Sequence, residues 1–143
     1  ITMLRRNDLE HKKSQVKELY GPLYSLLKTN KKIYDLWMAG DLSSINLKVK
    51  QLFKSNNDKA IEIINKNAHL IDENPMPEMF IQFVSSSQVW SMFCADDEEG
   101  VIPNGIADHP DVKWSEEFEQ YIFGKYERMA KELDDLYKKY GIS

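Results

Sequence analysis

The chain has 143 residues, 42% of them hydrophobic and 29% charged, with a formal net charge of −4. That length is one domain's worth of chain, long enough to bury roughly 70% of the surface an unfolded chain exposes and so to hold a core without cross-links. The acidic balance argues against a dedicated nucleic-acid binder, and the single cysteine, Cys94, excludes an internal disulfide and suits a reducing, cytoplasmic setting. No apolar run approaches the ~18 residues that a membrane span needs.

Leu9, Val16, Leu19, Leu23, Leu26, Ile33 and Trp37 keep one helical stripe going from about residue 4 to residue 38. Gly21-Pro22 interrupts it, and because proline lacks an amide donor and crowds the preceding turn, a kink or break is predicted there. Ala39-Gly40-Asp41 reads as a stop followed by a new N-cap. Leu42, Ile45, Val49 and Leu52 predict a second, shorter helix, Ser55-Asn56-Asn57-Asp58 a turn, and Ala60, Ile61, Ile64 and Ala68 a third helix. Asp72-Glu73-Asn74-Pro75 closes that segment, and Pro77 suits the first position of a fourth helix carrying Met79, Phe80, Phe83, Val84, Trp90 and Phe93. Ser85-Ser86-Ser87 in its middle reads as small residues that let a neighbour approach.

Residues 94–113 form a turn-rich connection with Pro103-Asn104-Gly105 and His109-Pro110, longer than compact domains usually leave without structure. In the final helix Phe118, Ile122, Tyr126, Met129, Leu133, Leu136 and Tyr140 recur at steps of four and three. Ser115 suits its N-cap, Glu116 and Glu117 its first turn, Lys138 and Lys139 its last turn, and Gly141 its stop. A stripe this long needs an equally long partner. The predicted fold is all-α, a single domain over residues 1–143: a bundle of about five helices with the first kinked at Gly21-Pro22 and a long C-terminal helix packed on it.

Catalytic and ligand chemistry are weakly signalled. His109-Pro110-Asp111 resembles the tripeptide of J-domain co-chaperones, but that family places a basic helix before it, and Val101-Ile102-Pro103-Asn104-Gly105 breaks any helix there. Asp96-Asp97-Glu98-Glu99-Gly100 is acidic, yet an EF-hand register would put Ala95 first and Ile106 last, where carboxylates are required. His11, His69 and His109 are too dispersed for a zinc set, Cys94 lacks an identifiable base, and no glycine-rich phosphate loop is present. No catalytic residue, metal or cofactor is predicted. The basic start, Arg5, Arg6, Lys12, Lys13 and Lys17, is interleaved with acids and reads as a solvated face, with anionic lipid or nucleic acid as the sharper alternative.

The aromatics point elsewhere. Tyr20, Tyr24 and Tyr34 in the first helix, and Tyr121, Phe123 and Tyr137 in the last, widen the stripes beyond what one neighbour covers. Tyrosine anchors protein interfaces, so Tyr20, Tyr24, Tyr34, Tyr121 and Tyr137 are the candidate interface, with a homodimer or another protein as partner. The alternative is a small-ligand-binding protein or enzyme whose inter-helix pocket is closed by the 94–113 loop, with Asp96, Asp97, His109 and Asp111 supplying polar groups.

Glu18-Leu19-Tyr20-Gly21-Pro22-Leu23-Tyr24-Ser25-Leu26-Leu27, together with Ile64-Asn65-Lys66-Asn67-Ala68-His69-Leu70-Ile71 and Met76-Pro77-Glu78, resembles a group of small, uncharacterised bacterial helical proteins. The likeness implies an accessory-genome or mobile-element origin and, in many members, a membrane segment just before the Tyr-Gly-Pro element. No activity comes with it. The chain opens Ile1-Thr2-Met3, which fits either a start at Met3 or a piece of a longer protein, and Leu4-Arg5-Arg6 would suit the cytoplasmic flank of a membrane tether upstream of residue 1.

Overall fold

The computed structural model describes residues 3–95 and 116–141, and every described element is helical. The chain begins as a single kinked rod. Helix α1 (Met3–Ser14) runs without a break through a π-helical turn (Gln15–Tyr20) into helix α2 (Gly21–Met38). After a short 3-10 turn (Ser43–Ile45) come helix α3 (Asn46–Lys66), a second 3-10 turn (Ala68–Leu70), helix α4 (Glu78–Ala95) and helix α5 (Glu116–Tyr140). With the kinked rod counted as one helix, four helices form an all-α bundle.

The kink sits where Gly21-Pro22 places it and takes the form of a widened turn. The Gly21 amide donates to the Val16 carbonyl, five residues back. Where pairing returns to four residues back, one carbonyl is skipped, and Pro22 has no N–H to offer. Asn67, at the far end of α3, supplies the missing donor: its Nδ2 lies 3.0 Å from the Glu18 carbonyl and 3.0 Å from that of Ile63. Glycine is required at 21 because a β-carbon there would collide with the Val16 carbonyl, with the Tyr126 ring packed beside it.

Helix α2 ends where Ala39-Gly40 was expected to stop it. Gly40 adopts φ +89, its amide donates to Trp37 and that of Asp41 to Leu36, so two terminal carbonyls are satisfied. Helix α3 then returns alongside α2, with Trp37 donating to Asn46 (2.6 Å) and its ring 5.8 Å from Phe53.

The run Ser55-Asn56-Asn57-Asp58 is the main departure from the sequence reading. It lies inside α3, so the two short helices predicted on either side are one. Val49, Phe53, Asn56, Asn57, Ala60 and Ile64 are all buried along a single stripe. The asparagines tolerate helix here because they are partnered across the hairpin: Asn56 donates to Asn30 (2.8 Å), and Asn30 donates to Asn57 (3.3 Å). Asn30 is buried as well. Tertiary hydrogen bonding thus outweighs the local preference of asparagine for turns.

Helix α5 closes the core antiparallel to the kinked rod. Lys12 reaches Glu132 (3.2 Å) near its C-terminal half, and Tyr24 meets Phe123 edge-on with centroids 5.4 Å apart near its N-terminal half. Phe118, Ile122, Phe123 and Met129 are buried as the periodicity predicted, while Tyr126, Leu133, Leu136 and Tyr140 are half-buried. Phe118 stacks on Phe83 with centroids 4.5 Å apart and meets Phe80 edge-on at 5.2 Å, which locks α4 onto α5. Each fully buried aromatic of this kind contributes about 2–3 kcal/mol of apolar burial. Gly141 ends the helix at φ +66. Among the described residues, no helix is long and apolar enough to cross a membrane.

Candidate functional site

The π turn does more than bend the rod. It turns Gln15 and Tyr20, both wholly buried, toward the segment that follows the second 3-10 turn. Gln15 spends both amide protons there, donating to the Leu70 carbonyl (2.8 Å) and to Asp72 (2.8 Å). From α1, the His11 Nε2 contacts the other oxygen of Asp72 at 2.8 Å. From α5, Tyr121 and Lys125 both donate to Glu73 Oε1, at 2.7 and 2.9 Å. Side chains from three helical elements therefore converge on two adjacent carboxylates.

The electrostatics follow from this geometry. Burial pushes the Asp72 carboxyl up, but hydrogen bonds from Gln15 and His11 and the charges of His11 and Lys125 outweigh it, so Asp72 titrates below its ordinary value. Burial likewise raises Glu73, and hydrogen bonds from Tyr121 and Lys125 outweigh that too, leaving it below the usual range. Burial, the neighbouring Tyr121 and the carboxylates of Glu73 and Asp72 push the Tyr20 phenol far above the ordinary tyrosine value. Its hydroxyl is sealed from solvent beside that of Tyr121 without closing a well-formed hydrogen bond. Tyr121 is raised by burial and by its bond to Glu73.

At this junction the carboxylates are held ionised and the phenols neutral, while Gln15 Oε1, the Tyr20 hydroxyl and Glu73 Oε2 are buried with no hydrogen-bond partner among the described residues. The arrangement fixes one segment between two helices. Among the described residues, no group of three or more His, Cys, Asp or Glu gathers as a metal site. Asp96, Asp97, His109 and Asp111, expected to line a pocket, lie outside the described residues, as does Ser115.

The candidate interface tyrosines divide. Tyr20 is 0% exposed and packs within this chain's own core, so as a candidate interface residue it presents no open surface. Tyr24 is half-buried against Phe123 and Tyr126, with Lys28 Nζ 4.3 Å above the Phe123 ring. Tyr121 is turned inward to Glu73, and Tyr137 is half-buried. Tyr34 alone among them stands open, at 45% exposure.

Tyr34 is the visible part of a larger feature. Leu23, Leu27, Asn30, Tyr34 and Met38 occupy one stripe of α2; the first three are buried and the last two exposed. Near them in the chain, Leu36, Ile45 and Leu52 are exposed as well, and on α4 so are Ile81 and Met92. Sequence periodicity marks such residues as apolar but does not say which stretch of a stripe goes uncovered.

Comparison with family models, with curated proteins and with solved structures finds no match. The geometry of the chain is therefore the ground for any functional assignment.

Proposed function

We propose that this chain is a non-enzymatic helical interaction module of the cytoplasm that pairs with itself. One observation carries the reading: apolar residues stand uncovered where a core stripe of α2 outruns the chain's own helices and on the outer face of α4. On α2 the stripe that buries Leu23 and Leu27 emerges as Tyr34 and Met38, and on α4 Ile81 and Met92 stand 51% and 68% exposed. Scattered apolar residues are normal on a surface; stripes that begin inside a core and end outside it are suited to a partner.

The test is solution mass by light scattering behind a sizing column, over a wide range of protein concentration and at two salt levels. Concentration-dependent doubling of the mass is the expected result. A monomer at every concentration and both salt levels would remove self-association.

A further inference from the structure

We infer that the second copy docks on the outer face of α4, the two helices lying antiparallel across a two-fold axis between Ser86 and Ser87. This rests on the self-association proposed above and names the face.

Helix α4 is unlike the other helices of this fold. Glu78 is the only charged residue among its 18, in a chain where 29% are charged. Exposed positions of α3 carry Lys48, Asp58, Lys59, Glu62 and Lys66, and those of α5 an even denser mixture of acids and bases. Among the side chains described over residues 79–92 of α4, the exposed ones are Ile81, Gln82, Ser85, Gln88 and Met92. Ile81, Ser85, Gln88 and Met92 recur at steps of four, three and four, the spacing of a helix–helix seam. Phe80, Phe83 and Ser87 are buried on the opposite side.

Charge selects the occupant. Each copy carries a formal −4, so two copies repel wherever acidic faces meet. The charge-free seam of α4 is where they approach with least penalty, and a neutral face matches a neutral face. Depletion of charge with an exposed methionine is also the composition of interface centres.

The order of residues then selects the direction. Reflecting α4 about the midpoint of Ser86 and Ser87 places Ile81 opposite Met92, Gln82 opposite Ser91, Val84 opposite Val89 and Ser85 opposite Gln88. Apolar meets apolar and polar meets polar at every one of these positions, as an isologous contact requires. Ser85 at the centre lets the backbones come close, and the Gln88 amide of one copy reaches the Ser85 hydroxyl of the other. Antiparallel packing also opposes the two helix dipoles.

The face is small. Eighteen residues give a seam about 27 Å long. Two such seams bury about 1,000 Å² in all, at the low end for specific complexes. The dimer is accordingly weak and concentration-dependent, with a Kd of roughly micromolar order.

Two sets of variants test this. Ile81→Glu and Met92→Glu put charge on the seam at exposed positions, so the fold is expected to survive, as judged by circular dichroism and thermal melting. Each should weaken the dimer by at least about 30-fold. In a Cys94→Ser background, Ile81→Cys and Met92→Cys proteins are reduced, combined in equal amounts and then oxidised together, with each oxidised alone as a control. A mixed disulfide that dominates over either self-disulfide is the antiparallel result.

Dominance of the self-disulfides would overturn the antiparallel register. A dimer untouched by Ile81→Glu and Met92→Glu, but lost in Tyr34→Glu or Met38→Glu, would overturn the choice of α4 while leaving self-association standing. A wild-type monomer throughout would overturn both.

Discussion

Asn67 offers the sharpest test of how the kink is held. Its Nδ2 serves the carbonyls of Glu18 and Ile63, each at 3.0 Å. The Ile63 carbonyl has a second donor, the Asn67 backbone amide at 3.1 Å, so Asn67→Ala leaves it satisfied. The Glu18 carbonyl is the one left stranded, since Pro22 cannot donate to it. A partly buried carbonyl deprived of its partner costs about 1–3 kcal/mol, and about 2 kcal/mol is expected for Asn67→Ala. For a chain of this size that lowers Tm by roughly 4–8 °C. Pro22→Ala restores an amide within reach of Glu18, so in that background Asn67→Ala should lose only about half as much. Urea unfolding followed at 222 nm on the four proteins of this cycle gives the coupling directly. Full additivity, or an Asn67→Ala protein within about 0.5 kcal/mol of wild type, would refute the claim that Asn67 completes the turn.

Other consequences can be measured on the same protein. Gly21→Ala drives a β-carbon into the Val16 carbonyl and is expected to destabilise by roughly 2 kcal/mol or more, whereas Gly124→Ala, at an open position, should be neutral or stabilising. Because Asp72 and Glu73 are held below their ordinary values, the folded state binds fewer protons than the unfolded one near pH 4; their stabilisation is complete above that range and is lost as pH falls through the lowered folded values. Urea midpoints measured from pH 7 down to pH 3 should therefore fall less steeply in Asp72→Asn and Glu73→Gln proteins, and identical slopes would break the link to this junction. Tyr20 and Tyr121 are held above their ordinary values, so their contribution is present below pH 10 and is lost as pH rises above it. Ultraviolet titration should find at most five of the seven tyrosines ionising before the alkaline unfolding transition.

The sequence was most legible where one signal dominated. The long stripe of α5 announced Phe118, Ile122 and Met129 as core because an uninterrupted run of apolar residues at helical spacing has one economical fold. Gly21-Pro22 announced a kink, since no helix passes proline unperturbed. The form of the kink was hidden: the π turn depends on Asn67, 49 residues beyond Glu18, and no local pattern joins the two. Asn56 and Asn57 were misread for a related reason. Their turn preference is a local property, while their partner Asn30 lies across a hairpin. The polar junction was likewise invisible. Nothing in the sequence singles out Gln15, and Asp72-Glu73 reads as the end of a segment; only the fold brings His11, Tyr121 and Lys125 around them. Tyr20 reads as a candidate interface residue because a wide aromatic stripe looks the same whether a second neighbour in the chain or a partner molecule covers it.

The asparagine layer has a consequence for how this chain tolerates change. Three amides are sealed between α2 and α3 with only one another as the partners described, so each holds its neighbours' place. Sliding α3 by one turn would break these amide pairs and set buried amides against apolar neighbours, at the cost of unpaired polar groups. The layer therefore acts as an alignment mark that admits a single hairpin register. It also binds the history of the three positions together: exchanging Asn30 for an apolar residue takes the partner from both Asn56 and Asn57, while replacing all three at once leaves a drier hairpin free to slip. Substitutions at 30, 56 and 57 are thus expected to travel as a set.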